Sequence, residues 1–174
     1  MQDVLVVVDM QKDFIDGALG TAEAVAIVPA VVERVKSFKG PVLFTRDTHG
    51  EDYMDTQEGR RLPVPHCIRG TEGWRIRPEL EALRTRPAID KPSFGSTELP
   101  RILRDMDAEE PVASVTLLGL CTDICVISNA LLIKAALPEA RVAVDAACCA
   151  GVSPESHRRA LNAMKVCQID IENE

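Results

Sequence analysis

Residues 4–9 read VLVVVD and residues 112–125 read VASVTLLGLCTDIC. Both are dominated by Val and Leu with little polar alternation, which marks strands buried on both faces of a parallel sheet. Four shorter apolar runs, at 41–46, 88–91, 141–145 and 166–171, complete a set of six. Helical patterns lie between them. Residues 29–38 open on Pro29 and space Val32, Val35 and Phe38 along one face. Residues 98–106 place Leu99, Ile102, Leu103 and Met106 together in the same way. Residues 122–137 start on a Thr122-Asp123 pair suited to a cap and stop before Pro138. Residues 153–165 begin Ser153-Pro154-Glu155 and end on Lys165, a cation at the negative end of the helix dipole. Strands alternating with helices predict an α/β architecture whose parallel sheet is covered on both faces.

The 174 residues, with no internal repeat and no linker, predict a single domain over 1–174. A chain of this length with 46% hydrophobic residues needs no disulfide or structural metal to fold. No apolar run approaches the roughly 18 residues of a membrane span. Met1-Gln2-Asp3 carries no basic leader. A cytoplasmic protein without a membrane partner is therefore expected. In that compartment the six cysteines (Cys67, Cys121, Cys125, Cys148, Cys149 and Cys167) are expected as reduced thiols. The net charge of -7 argues against a nucleic-acid partner, although residues 60–104 hold ten Lys or Arg against five Asp or Glu. That basic stretch reads either as a solvated mixed surface or as the neighbour of a carboxylate-lined pocket.

In a doubly wound sheet, ligands bind at the carboxyl ends of the strands. There the sequence delivers Asp9, then Arg46-Asp47-Thr48-His49, then Lys91, then Leu120-Cys121-Thr122-Asp123-Ile124-Cys125, and finally Asp145. A carboxylate, an ammonium and a thiol converge on one rim. Cys125, in the first turn after the fourth strand, is placed where free backbone N–H groups and the helix dipole favour a thiolate. Asp9 is the candidate base and Lys91 the group that favours the charged forms. Taken singly, each has an ordinary structural explanation; taken together they point to nucleophilic catalysis.

The irregular residues 47–73 form the kind of long loop that compact domains keep for a site. Asp47-x-His49 with His66 offers a carboxylate and two imidazoles, a donor set suited to Mn, Fe or Zn, and Glu58, Asp55 or Glu51 would complete the shell. Two loop histidines bonded to backbone would give the same pattern. A cysteine-zinc site has no C-x-x-C pair behind it.

Six segments occur in order: VVVDMQKDF (6–14), TRDTH (45–49), LPVPHCIRGTEGW (62–74), IDKPSFGST (89–97), LLGLCTDICV (117–126) and VDAACCAGVSPESH (144–157). Together they resemble the isochorismatase-like cysteine hydrolases, and among them the nicotinamidase-related amidases. The resemblance implies a Rossmann-like three-layer α/β/α fold with a six-stranded, mainly parallel sheet in the order 3-2-1-4-5-6. It implies a catalytic triad of Asp9, Lys91 and Cys125, and a cis peptide before Cys121 that turns the backbone N–H groups of Cys121 and Cys125 into an oxyanion hole. It further implies a divalent metal (Zn, Mn or Fe) held by Asp47, His49, His66 and, as fourth ligand, Glu58. Phe14 would flank the substrate, with Phe94 as a second substrate-binding residue, and the subunits would assemble as a homodimer or homotetramer. With that strand order the third strand lies about 10 Å from the first, at roughly 4.8 Å per step, so Lys91 must reach inward.

The expected reaction is cleavage of a small amide, nicotinamide or a related carboxamide, to the acid and ammonia through a thioester. The sequence departs from the nicotinamidase pattern in two places. Pro63, beside Leu62, stands where a Trp usually precedes the metal-site histidine, and the segment Pro92-Ser93-Phe94-Gly95-Ser96 is shorter than the usual Tyr-containing stretch. An N-carbamoyl compound, an isochorismate-like substrate, or a catalytically silent ligand-binding role are the alternatives. Cys125 argues against the vinyl-ether chemistry of isochorismatase proper.

Overall fold

The computed structural model describes residues 1–174. The six expected strands are all present: β1 (Gln2–Val8), β2 (Val42–Asp47), β3 (Ile89–Lys91), β4 (Val112–Leu120), β5 (Arg141–Ala150) and β6 (Asp170–Glu172). They form one sheet of order β3-β2-β1-β4-β5-β6, every pair parallel. β1 and β4 lie side by side at the centre, in register from Asp3 opposite Ser114 to Val8 opposite Gly119. That position explains their composition, because Val4 to Val8 are each 0% exposed and only apolar side chains fill both faces of a covered sheet.

Helices α1 (Lys12–Ile15), α2 (Ala22–Ser37) and α4 (Pro78–Glu81) pack together on one face; α5 (Glu98–Glu109), α6 (Ile127–Ala136) and α7 (Pro154–Val166) pack side by side on the other. A short α3 (Gln57–Arg61) sits in the long segment after β2. No helix is long and apolar enough to cross a membrane.

Three boundaries differ from the sequence reading. The helix expected over 29–38 begins at Ala22, because Thr21 caps it by accepting a 3.0 Å bond from the Ala24 N–H, and Pro29 lies in its interior. The buried Ala24, Val28, Val31 and Val35 continue one apolar face through the proline. β5 runs five residues past the expected end, so Asp145 lies within the strand, bonded by Asn173 and paired with Arg34, and not at the carboxyl rim. The last strand is short because α7, capped by Ser153, continues through Val166, and only residues 170–172 pair.

The turn after β4 also differs. Thr122 to Val126 form a π-turn that leads into α6, and neither Thr122 nor Asp123 caps it with a side chain. Thr122 instead hydrogen-bonds His157 Nδ1 at 2.7 Å, and Asp123 accepts bonds from the Val152 N–H and the Ser156 hydroxyl. The turn is thus tied to the start of α7.

Two expectations follow. Gly119 adopts φ +117°, and a Cβ there would collide with the Val8 backbone; Gly119→Ala should lower stability by about 2 kcal/mol or more, read as a lower urea midpoint at unchanged m. Burial lowers the pKa of His157 below the ordinary imidazole value. The unfolded chain therefore binds a proton that the folded chain resists, and stability should fall as pH drops below about 6.5. His157→Gln should flatten that acid limb in thermal unfolding measured across pH.

Candidate active site

The carboxyl ends of three neighbouring strands deliver the site. Asp9 follows β1, Asp47 ends β2 and Lys91 ends β3, with Asp47 and Lys91 paired in register. The inward reach expected of Lys91 is made by its side chain. Its Nζ lies 2.6 Å from Asp9 Oδ2, 3.4 Å from Asp47 Oδ1 and 3.5 Å from Cys125 Sγ, and it donates to the Ser93 carbonyl at 3.0 Å. The Lys91 and Asp9 side chains are both 0% exposed.

Asp9 sits at φ 47°, a left-handed conformation uncommon for a residue other than Gly and typical of functional positions. Its Oδ1 accepts a 2.6 Å bond from the Thr45 hydroxyl, which in turn accepts from the Asp9 N–H at 3.3 Å. Its Oδ2 is free of hydrogen bonds apart from the contact with Lys91. Gln11, fully buried, clamps the neighbouring backbone: its Oε1 accepts from Asp47 N–H at 2.7 Å, and its Nε2 donates to the Asp47 and Trp74 carbonyls at 2.8 Å each.

Burial, and then the Asp9 charge, push the Cys125 thiol well above its ordinary range, against the opposing pull of Lys91. These surroundings favour the protonated form of the thiol. Burial also raises Asp9, with Lys91 opposing. Burial disfavours the charge on Lys91, but the neighbouring Asp9 and Asp47 carboxylates overcome it and hold the ammonium above its usual range.

Cys125 belongs to the π-turn and is 4% exposed. The Leu120–Cys121 peptide that enters the turn is cis. Asn129, 0% exposed, binds this turn to the loop after Lys91: its amide donates to the Cys125 carbonyl at 2.8 Å and to the Phe94 carbonyl at 3.2 Å, and its oxygen accepts from the Ser96 N–H at 2.9 Å. Sequence reasoning passed over Thr45, Gln11 and Asn129. For Asn129 the signal was available, since a lone amide within the apolar run IleSerAsnAlaLeuLeuIle of 127–133 is a buried polar group in need of partners.

Beside the triad, Asp47, His49, Glu58 and His66 each place one donor atom within 4.8 Å of all the others. Asp47 Oδ2 lies 2.9 Å from His49 Nε2 and 3.7 Å from His66 Nε2, and Glu58 Oε1 lies 3.6 and 3.8 Å from the same two nitrogens. A tetrahedral ion with bonds of about 2.1 Å requires donor atoms about 3.4 Å apart. The set fits a divalent metal. The Val64 carbonyl holds His66 Nδ1 at 2.8 Å, which aims Nε2 at the group. Burial raises the Asp47 carboxyl, but its bonds to His49 and His66 and the charge of Lys91 hold it well below the usual carboxylate range. Asp55 and Glu51 stand outside the group and are exposed.

Both groups open into one cavity of about 420 Å³. Phe14, Leu19, Leu62, Phe94 and Ile124 supply its apolar lining, and Cys121 and Cys125 also line it. Phe14 is 7% exposed, with its ring centroid 5.5 Å from that of His66, whereas Phe94 is 45% exposed at the surface. Trp74 lies away from the cavity, with the Arg46 guanidinium 3.6 Å from its ring centroid.

Comparison with known proteins finds relatives along nearly the whole chain. The isochorismatase domain model matches residues 3–172. The protein described as uncharacterized isochorismatase family protein PncA, from Bacillus subtilis (strain 168), is 30% identical over 178 residues, covering 93% of either chain. The crystal structure of nicotinamidase/pyrazinamidase PncA from Bacillus subtilis has a TM-score of 0.84 at 28% identity, covering 99% of this chain and 100% of that one. That of the pyrazinamidase of Pyrococcus horikoshii in complex with zinc has a TM-score of 0.78 at 29% identity and 98% coverage of each. With a matching domain along nearly its whole length and a relative 30% identical over 93% of both chains, the chain belongs to the isochorismatase family.

Proposed function

We propose that this protein, acting as a single domain over 1–174, is a cysteine-dependent amidohydrolase that converts a small carboxamide to its acid and ammonia. The observation that carries this reading is the buried Lys91 ammonium, 2.6 Å from Asp9 and 3.5 Å from the Cys125 sulfur. It brings a base and a cation into contact with the cysteine that lines the cavity. The two solved structures cited above are named as nicotinamidase or pyrazinamidase, enzymes of amides, which supports the same class.

The neutral resting thiol defines the first step. As Cys125 Sγ bonds to the amide carbonyl carbon, its proton passes to Asp9 Oδ2, the oxygen left free of other hydrogen bonds. Charge then develops on the carbonyl oxygen, where the backbone N–H groups of Cys121 and Cys125 form the oxyanion hole. Collapse breaks the carbon–nitrogen bond while Asp9 returns the proton to the leaving nitrogen, and ammonia departs from a thioester. A water then gives its proton to Asp9 and attacks the thioester carbon. The sulfur leaves with that proton and the acid is released. Lys91 keeps its proton throughout and holds Asp9 in place. Phe14 and Phe94 confine the acyl portion.

Asp47, His49, Glu58 and His66 would hold a divalent metal, zinc being the ion bound in the Pyrococcus horikoshii relative. When bound, it supplies a Lewis-acidic anchor for an acceptor atom of the substrate.

Cys125→Ala should abolish ammonia release from carboxamides, and Asp9→Asn should lower kcat by about a hundredfold to ten-thousandfold while leaving the fold intact by circular dichroism. Undiminished activity in Cys125→Ala would overturn the mechanism. Dialysis against a chelator should remove one equivalent of metal per chain together with activity, and Zn, Mn or Fe should restore both, read by elemental analysis and ammonia release. Glu58→Gln should weaken retention of that metal by about ten- to a hundredfold.

A further inference from the structure

Helix α3 presents one face to the cavity. Gln57, Glu58 and Arg61 of the helix, together with its C-cap Leu62, all line it. These positions, i, i+1, i+4 and i+5, share one side of a helix. Glu58 is turned to the imidazoles of His49 and His66, at 3.6 and 3.8 Å. Arg61 is different. It is the one cation lining the cavity, and it neither forms a salt bridge nor donates a hydrogen bond within the protein. Gln57 beside it is likewise without a side-chain partner. By contrast, the adjacent Arg60 binds the Asp55 carbonyl outside the cavity.

The helix is held in this orientation. Thr56 Oγ1 accepts from Gly59 N–H at 2.9 Å and donates to the Tyr53 carbonyl at 2.7 Å, and the Tyr53 hydroxyl donates to the Leu62 carbonyl at 2.9 Å. A Cβ at Gly59 would collide with the Tyr53 backbone. The backbone of α3 is therefore fixed before any ligand arrives, while the exposed Arg61 and Gln57 side chains are left without protein partners where they line the cavity. The guanidinium fork of Arg61 suits a carboxylate, and Gln57 offers a further N–H donor. The rest of the lining is apolar, from Phe14, Leu19, Leu62, Phe94 and Ile124.

Resting on the amidase reading, we propose that Arg61, aided by Gln57, selects carboxamides that carry a carboxylate at the end remote from the amide, with an apolar spacer between the two. The cavity would then take the monoamides of dicarboxylic acids in preference to neutral amides of the same shape.

The test compares kcat/KM for two matched pairs, glutaramate against pentanamide and 4-carbamoylbenzoate against benzamide, followed by ammonia release. The wild type should favour the anionic member of at least one pair by about tenfold or more, the scale of a hydrogen bond to a charged group. Arg61→Gln should bring that ratio close to one, and Arg61→Lys should restore part of it, because the charge returns without the fork. A wild-type ratio near one in both pairs, or a ratio unchanged in Arg61→Gln, would overturn the proposal. Calorimetric binding of glutaramate to Cys125→Ala, with and without Arg61→Gln, keeps the two readings apart. If the wild type cleaves no amide, the amidase reading fails, while equal binding by the two variants is what would sink the role of Arg61.

Discussion

A lysine ammonium with no exposed surface must be paired, because an uncompensated charge inside a protein costs several kcal/mol. Lys91 meets that requirement with two carboxylates from two other strands, Asp9 at 2.6 Å and Asp47 at 3.4 Å. The pairing draws the ends of β1, β2 and β3 to one point, although β3 is an edge strand separated from β1 by β2. It also explains why the supporting polar residues are buried. Thr45 fixes the Asp9 carboxylate from β2, Gln11 grips both sides of the Asp47 peptide, and Asn129 joins the loop after Lys91 to the Cys125 turn. Each satisfies a backbone or carboxylate group that would otherwise be stranded in an apolar interior.

Asp47 links this arrangement to its neighbour. One carboxylate oxygen faces Lys91 and the other faces His49 and His66, so Asp47 bridges Lys91 and the candidate metal-binding group. The two are also joined through the chain. The bridge between His49 and Ile68 folds the segment after β2 back on itself, and the buried Tyr53 packs edge-on against both imidazoles. Residues 47–73 are for this reason not a slack loop, despite their lack of periodicity. Their order comes from contacts between residues about 17 positions apart, which no local pattern reports.

The same distinction separates what could be read from the sequence. β1 and β4 were legible because full burial on both faces forces continuous apolar composition, and α7 because Ser153 and Pro154 announce its start. The strand-end rule then brought Asp9, Lys91 and Cys125 to one rim. The start of α2 was not legible, since Pro29 carries the local signature of a first helical turn while the decisive cap is Thr21, well upstream. Asp145 was misplaced because β5 continues through alanines and cysteines, residues with weak strand preference that pairing with β4 nevertheless keeps extended. The protonation state of Cys125 was likewise out of reach: the sequence shows its position after a strand, whereas the thiol is governed by burial and by the approach of Asp9.

That protonation state bears on how the site works. A permanent thiolate beside Asp9 would place two negative charges in a buried cavity, with one ammonium to balance them and Asp47 already near. Burial instead raises both Asp9 and Cys125, and Lys91 lowers both, so the same surroundings act on proton donor and proton acceptor in the same direction. A proton shared between groups shifted together can move at small cost when the sulfur begins to bond to carbon, because the total charge of the pair does not change. Under the proposed mechanism the site therefore stores no reactive anion. The nucleophile is produced only where an acyl carbon stands ready to receive it, and Lys91, buried between the two carboxylates, keeps the charge count constant while the proton travels.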